Sequence, residues 1–463
     1  MAGIKDLPPA KLAAHEAAVQ RLRAEYRAVP LGVKVRLAKR TSNLFRFRDP
    51  GSTTAELDVE AFARVIHVDP VTRTAVVGGV TTYEDLVDAT LPYGLMPLVV
   101  PQLKTITLGG AVTGLGIEST SLRSGMPHES VIELEVLTGG GEVITARADN
   151  EHHDLFDGFP NSYGTLGYAL ALTIELEPVR PYVHIKHFQF GDPKSCMDAI
   201  SRIAETGEYN GHKADFVDGT AFSNDELYLT VGAFSDKAPW QSDYTGSRVY
   251  YKSLREERED FLTIKDYLWR WDTDWFWCSR PFGVQNSLIR RAWPRKLRRS
   301  DVYRRLVAFD RKYGLTDTLN SHRHAPAREA VIQDVETPVV KGNEFLEFFA
   351  QNVGMSPVWL CPLRLRGEKK WPLYPLEPGE VYVNFGFWGT VALPAGEQDG
   401  HYNRMIEDEV SALGGHKSLY STSFYSEEEF YGLYDGEFYT KLKREYDPDG
   451  RLLSLYDKCV GGR

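Results

Sequence analysis

The chain has 463 residues, of which 42% are hydrophobic and 25% charged, and its formal net charge is −10. This is the composition of a soluble globular protein of two or three domains with a large core, and the acidic balance argues against nucleic acid as a partner. Four cysteines (Cys196, Cys278, Cys361, Cys459) stand far apart, which disfavours both a zinc cluster and a disulfide framework.

Lys5, Pro8 and Pro9 precede a polar helical pattern, so no signal peptide is expected. No run of about eighteen apolar residues marks a membrane span, and a cytoplasmic protein is the expectation. Residues 10–28, rich in Ala, Arg and Glu, predict one helix. Val33 to Leu37 alternates with period two and predicts a strand. Arg64–Val68 and Thr74–Val77 flank a turn at Asp69–Arg73 and predict a hairpin. Thr82, with Asp85 three residues on, predicts a helix cap. Val131–Leu137 and Glu142–Ala146 enclose a glycine turn, a second hairpin. Ala171–Leu176 predicts a strand, and Pro178 and Pro181 mark a domain boundary. Beyond it lie the strands Leu227–Val231 and Val381–Phe387, four tryptophans (Trp269, Trp271, Trp275, Trp277), and a helix over Glu427–Lys443.

Thr107 to Ser119 holds four glycines within eight residues (Gly109, Gly110, Gly114, Gly116). Read as a tight loop, it brings the backbone close to a ligand and leaves N–H groups uncovered for phosphate oxygens. Gly114-Leu115-Gly116 does not open a dinucleotide fingerprint, because the third position is Ser119. More than a hundred residues, several strand-like runs among them, also precede it, whereas that fingerprint follows a first strand.

Between Arg280 and Lys312 stand eleven basic residues (Arg280, Arg290, Arg291, Arg295, Lys296, Arg298, Arg299, Arg304, Arg305, Arg311, Lys312) against Asp301 and Asp310. Phe282, Leu288, Ile289, Trp293, Leu297 and Tyr303 are interleaved. The mixture suits contact with anionic lipid headgroups; the rival reading is a solvated face paired with acids elsewhere in the fold. The histidines predict no metal site: His152 and His153 point apart on a helix, and His322 and His324 have no third ligand near them in sequence.

Lys39-Arg40-Thr41-Ser42-Asn43-Leu44, the Thr107–Ser119 stretch and Gly164-Thr165-Leu166-Gly167 resemble the FAD-binding domain of the vanillyl-alcohol-oxidase-type (PCMH-type) flavoproteins. Gly114–Ser119, Pro357–Pro362, Glu428-Glu429-Phe430 and Tyr456-Asp457-Lys458 are similar to the Δ24-sterol reductase branch, in the same order along the chain. The resemblance implies an α+β architecture: a helix over 1–27, an FAD domain over 28–178, a substrate domain over 179–425 with its membrane-contact stretch at 280–312, and a segment at 426–463 packing back on the FAD domain. It implies that Gly109, Gly110, Ala111, Gly114, Gly116 and Ile117 wrap the FAD pyrophosphate. Thr107, Ser119, the Thr41-Ser42-Asn43 turn and Gly164, Thr165 and Gly167 complete the cofactor site, and Glu118 orients the cofactor rather than acting as an acid. The first turn has no His and the 107–119 stretch no Cys, so noncovalent FAD is expected.

Flavin chemistry of this kind implies hydride from NADPH and a protein acid for the proton. Tyr382 and Asn384 sit two apart on a strand and face one side; Tyr382 is the first candidate donor, with Asn384, Arg364 and Asp218 as further polar candidates. Bacterial relatives of this branch convert a methylene-branched fatty acyl chain of phospholipid to the methyl-branched chain, and that lipid alkene is the expected substrate. A lipid methyltransferase acting upstream is a candidate partner. The alternatives are reduction of a sterol side chain, oxidation of a sugar, polyol or lactone, or a membrane-surface module in which FAD is structural.

Overall fold

The computed structural model describes residues 3–39, 45–46, 54–313 and 326–460, without the side chains of residues 311–312. The predicted Thr41-Ser42-Asn43 turn and the His322/His324 pair lie outside the described residues. The fold is mixed α+β, as the resemblance implies.

Helix α1 (Pro9–Ala28) opens with a proline at the first position, where the missing N–H costs nothing. His15, Ala18, Val19, Leu22 and Tyr26 recur at helical spacing on its buried side, and the apolar ones join Val35, Leu57 and Leu137. His15 reaches Glu135 at 2.6 Å. Strands β1 (Lys34–Leu37) and β2 (Thr54–Leu57) form a parallel pair. The first large sheet contains β3 (Val65–Asp69), β4 (Thr74–Gly78), β5 (Leu95–Pro97), β6 (Val131–Thr138), β7 (Val143–Ala146) and β8 (Gly167–Pro178) in the order β3-β4-β8-β6-β7, with β5 also paired to β8. The β3–β4 turn forms because the Asp69 carboxylate accepts from Val71 N at 2.8 Å and Thr72 N at 3.3 Å. Helix α2 (Tyr83–Thr90) starts where Thr82 Oγ1 accepts from Asp85 N.

After Pro178 the chain enters a second, antiparallel sheet. Its strands are β9 (Tyr182–Phe190), β12 (Phe216–Ser223), β13 (Glu226–Ser235), β14 (Glu259–Thr263), β15 (Arg328–Pro338), β16 (Val358–Leu363), β17 (Tyr382–Ala392) and β18 (His416–Lys417); β10 (Glu208–Tyr209) and β11 (His212–Lys213) form a separate small hairpin. The order is β14-β9-β13-β12-β16-β17-β15-β18. Alternation along the strands sorts the side chains onto two faces. One face presents Val217, Leu229, Val231, Val335, Leu360, Val383 and Phe385 to the helices Pro193–Thr206, Gly342–Asn352 and His401–Ala412. The registers put Asp218, Thr230, Trp359, Cys361, Asn384, Asp334 and Glu336 together on the opposite face. A continuous core joins that side to the first sheet, from Val77, Leu134 and Leu172 to Trp359, Cys361 and Leu363.

The predicted C-terminal helix is two helices, Glu427–Leu433 and Gly436–Tyr446. The break falls at Asp435, whose left-handed backbone lets its carboxylate accept from Phe438 N at 3.1 Å and start the second helix. This segment meets the first domain: Gly140 N donates to Tyr446 O at 2.9 Å, Lys443 Nζ to Thr165 O at 2.7 Å, and Val35 N to Arg451 O at 3.0 Å.

Lys417 on β18 is fully buried against an equally buried Glu407, at 2.6 Å. Lys417→Met strands the carboxylate and is expected to cost about 3–5 kcal/mol, whereas the double replacement K417M/E407L restores most of it. Denaturant unfolding of both variants checks this; a loss below about 1 kcal/mol in K417M would show the pair to be dispensable.

Candidate functional site

The glycine-rich stretch is not a loop at its start but a helix, α3 (Leu108–Gly114), capped by Thr107, whose Oγ1 accepts from Gly110 N at 3.2 Å. Its leading donors are already committed: Leu108 N to Thr81 O and Gly109 N to Gly79 O, both at 2.9 Å. The expectation of bare N–H groups across the whole stretch is therefore corrected. Gly109 is required because a methyl group there would lie 2.6 Å from the Gly79 carbonyl oxygen, and at Gly114 it would meet the Tyr163 ring at 3.0 Å. Beyond α3 the chain turns at Leu115, with φ of 57°. There the N–H groups of Leu115, Gly116 and Ile117 have no protein acceptor among the described residues.

Three predicted pieces do come together around α3. Lys39 Nζ sits 2.9 Å from Thr107 Oγ1 at its head. At its tail, Tyr163 N donates to Thr113 O and Tyr163 OH to Gly114 O. That places the Gly164–Gly167 turn beside the helix end, with Thr165 bonded back to Ser162. The Arg46 guanidinium lies over the Tyr163 ring at 4.5 Å.

Residues 118–121 then join the two sheets. Ser119 O accepts from Val217 N at 2.7 Å, Ser119 Oγ meets Tyr267 OH at 3.2 Å, and Ser121 O accepts from Arg364 N at 3.3 Å. Glu118 is 3% exposed. Its Oε1 accepts from Gln102 Nε2 at 2.5 Å and Ser119 N at 2.7 Å, while Oε2 has no partner among the described residues. Burial pushes its carboxyl up to about 8, against a smaller opposing pull from Arg270. Next to it Arg270 and Asp218 form an ion pair at 2.7 Å, each side chain 1% exposed. Asp218 Oδ2 also accepts from Trp271 Nε1 at 2.9 Å and Trp359 Nε1 at 3.4 Å.

An aromatic wall continues from that pair along the sheet: Trp271 to Phe276 at 4.9 Å, Phe276 to Trp388 at 4.4 Å, Trp359 to Trp388 at 6.3 Å. Trp275 and Phe276 are both held in the left-handed region, a costly state for bulky side chains that the surrounding packing enforces. The tryptophan run is thus packed interior, and Trp275 stacks on Phe45. At the wall's other end Asn384 Nδ2 donates to Asp334 at 3.1 Å and Trp388 Nε1 to Tyr420 OH at 2.8 Å. Burial lifts Asp334 to about 6 and Glu336, bonded by Tyr374 and Ser418, to about 8.

Of the predicted catalytic residues, Asn384 lies in this wall. Tyr382 does not present a free hydroxyl to it: its OH donates to Glu380 and accepts from Glu377 N, both at 3.1 Å, and burial drives the phenol up to about 12. Arg364 is half-buried just beyond β16. Arg270 and Gln102 were missed by sequence reasoning. The available signal was Asp218 in an otherwise apolar strand, since a buried acid requires a partner.

Residues 12–147 match the FAD-binding domain family. The chain carries an FAD-binding domain. Over 448 residues it is 25% identical to a Delta(24)-sterol reductase of Arabidopsis thaliana, covering 88% of this chain and 77% of that one. The mouse and human enzymes of the same name are 27% and 26% identical over 68% of this chain, which spans 60% of their length. The chain is thus a distant relative of the Delta(24)-sterol reductases that carries an FAD-binding domain. The residues present fit the cofactor: a lysine and a hydroxyl at the head of α3, three uncommitted N–H groups after it, and orphaned buried polar atoms on Gln102, Glu118, Asp218 and Asn384 where the two sheets face each other. The lysine, hydroxyl and N–H donors suit a pyrophosphate, and the orphaned oxygens, each able to accept, suit the N–H of a polar ring edge.

The basic stretch is only partly a surface. Arg290 is 1% exposed and bonds both oxygens of Asp274; Arg298 is buried against the carbonyls of Trp293, Thr245 and Gly246. Arg299 pairs with Glu84 and Asp301, Arg295 with Asp243. Arg290, Arg298 and Arg299 are structural, while Arg295 stays exposed in its pair with Asp243, so the expectation that the whole stretch forms one cationic surface is corrected. Arg291, Lys296 and Arg305 are exposed, among exposed Leu288, Ile289, Leu297, Leu306 and Phe309. Among the described residues no helix is long and apolar enough to cross a membrane.

Glu336 carries a pH prediction. A carboxyl whose folded value is raised keeps its proton in the fold after the unfolded chain has lost it. Its contribution to stability is therefore whole below the unfolded value of about 4.5 and is lost as pH rises towards 8. Glu336→Gln cannot ionise, so the melting temperature of wild type relative to E336Q should fall steadily between pH 5 and 8. A constant difference across that window would show Glu336 to be ionised throughout.

Proposed function

We propose that the protein reduces an unactivated carbon–carbon double bond in a lipid, with hydride from NADPH passed through noncovalent FAD. The substrate in this reading is a methylene-branched fatty acyl chain of phospholipid, which leaves as the methyl-branched chain. The observation that carries the proposal is a buried acid, Glu118, with one oxygen unpartnered among the described residues, beside the Arg270–Asp218 pair from which the aromatic wall runs. An isolated alkene has no carbonyl to polarise, so its reduction needs a strong proton donor and the exclusion of water. Bound FAD supplies the hydride. The chain's own residues do the rest: Lys39, Thr107 and the N–H groups of 115–117 hold the pyrophosphate, Trp359, Phe276 and Trp388 wall off water, and Asn384 anchors a polar edge.

The name of the relatives, Delta(24)-sterol reductase, supports chemistry on a double bond, and a sterol side chain is the second reading of the substrate. Oxidation of a sugar or polyol is less well served, because the wall offers aromatic carbon where a polyol needs hydrogen-bond partners. The exposed apolar residues interleaved with Arg291, Lys296 and Arg305 support attachment to anionic bilayers, from which an acyl chain would enter.

Two experiments test this. NADPH added anaerobically should bleach the bound flavin, and vesicles of methylene-branched phospholipid should restore the oxidised spectrum, with air acting only slowly. Rapid recovery in air and no response to the lipid would replace the reading with an oxidase. Separately, L288S/I289S/R291E/K296E should weaken binding to anionic vesicles at least tenfold, at about 1 kcal/mol for each basic residue near the surface. Unchanged binding removes the membrane part.

A further inference from the structure

The buried charges between the two sheets do not balance. Glu118 and Asp218 are two acids, and among the described residues Arg270 is the one cation that faces them both. Of the other titratable groups at the cluster, Tyr250, Tyr267 and Cys361 hold their protons, because burial raises all three, and burial lowers His187 to about 4, which leaves it neutral. If both acids were ionised, the cluster would bury an unpaired negative charge, which costs several kcal/mol. One proton therefore stays. Charge decides where. Asp218 touches the Arg270 guanidinium at 2.7 Å and takes two indole N–H donors on the same oxygen. Glu118 receives only the neutral N–H donors of Gln102 and Ser119, both on Oε1. Each acid leaves one buried oxygen without a partner among the described residues, Oδ1 of Asp218 and Oε2 of Glu118, so the guanidinium is what separates them, and Glu118 is the acid that keeps the proton, on Oε2.

The acid is also well placed and rigid. Its neighbour Ser119 is bonded to Val217 N on β12, one residue from Asp218, and to Tyr267 OH, whose ring packs at 3.9 Å beneath the Arg270 guanidinium. Gln102 holds the carboxyl from the first domain. Glu118 directly follows the 115–117 turn with its uncommitted N–H groups, so one short segment carries both cofactor donors and the acid.

We propose that Glu118 is the proton donor of the reaction, and that Asp218 and Arg270 are positioning residues that keep it protonated by cancelling each other's charge. The substrate assignment rests on the alkene-reductase reading; the protonation of Glu118 does not. In the step, the Oε2–H bond breaks and a C–H bond forms at one alkene carbon, while the neighbouring carbon takes the hydride that NADPH supplied. Glu118 is left as a carboxylate and regains its proton from water. The alkene gains two electrons and two hydrogens, and the nicotinamide is oxidised.

The test uses holoenzyme and the isosteric variant Glu118→Gln. Infrared spectra at pH 7 should show a protonated carboxyl C=O band in wild type that is missing in E118Q; identical spectra would overturn the proposal without reference to any substrate. In anaerobic stopped flow, NADPH should bleach E118Q within about threefold of the wild-type rate, while reoxidation by methylene-branched phospholipid slows by about 10²–10⁴-fold. Reoxidation at the wild-type rate would also overturn it. A wild type that NADPH bleaches but no alkene reoxidises defeats the alkene reading alone, and the infrared result stands apart. Should E118Q lose its flavin, Asp218→Asn decides. With Arg270 left uncancelled beside Glu118, the high-pH limb of the reoxidation rate should move down by about one unit or more; an unmoved limb contradicts the positioning role.

Discussion

Burying Asp218 and Arg270 together, at 2.7 Å with 1% of each side chain exposed, is the demand around which the middle of this protein is arranged. A buried pair recovers its desolvation cost only when its remaining valences are met. Here Trp271 and Trp359 donate to the acid, Tyr267 O accepts from the guanidinium, and the Tyr267 ring lies beneath it. The pair exists because the eight-stranded sheet is covered on both faces. Helices carrying Ile200, Phe345 and Ile406 seal one side with aliphatic and aromatic carbon. The other side meets the FAD-binding domain, and there the strands carry acids, an amide and tryptophans. Polar side chains on a covered face are expensive to keep, which marks that face as the working one.

The FAD-binding domain supplies the complementary half. Helix α3 lies so close to the strand edge that only glycine fits opposite Gly79, and its first donors are used in holding that contact. The N–H groups without an acceptor among the described residues come at the turn after the helix, and that turn runs directly into Glu118 and Ser119. In the proposed reading, cofactor binding, proton supply and contact between the domains fall on the seven consecutive residues 115–121. The C-terminal helices return to the first domain and fasten it through Lys443, Tyr446 and Arg451.

Local chemistry was legible in the sequence. The Asp69–Arg73 turn and the Thr82–Asp85 cap depend on neighbours within a few residues, and each is found where the residues place it. What failed to show was non-local. Nothing within Thr107–Ser119 says that Gly79 and Thr81 will supply acceptors to make a helix of its first half. The charge of residues 280–312 was visible, but not that Asp274 and Glu84 would draw Arg290 and Arg299 inward. The burial of Glu118 between Gln102 and Arg270 is likewise a property of three chain segments together. Asp218, an acid within Phe216–Phe222, announced that it needed a partner without naming Arg270.

The central claim is that the flavin ring lies against the polar and aromatic face of the eight-stranded sheet. Time-resolved flavin fluorescence of the holoenzyme tests it, because an indole in contact with oxidised flavin quenches it by electron transfer on a picosecond scale. The account predicts strong quenching in wild type and a markedly longer lifetime in Trp388→Phe or Trp359→Phe. A long lifetime in wild type, or one that neither replacement changes, would place the ring elsewhere.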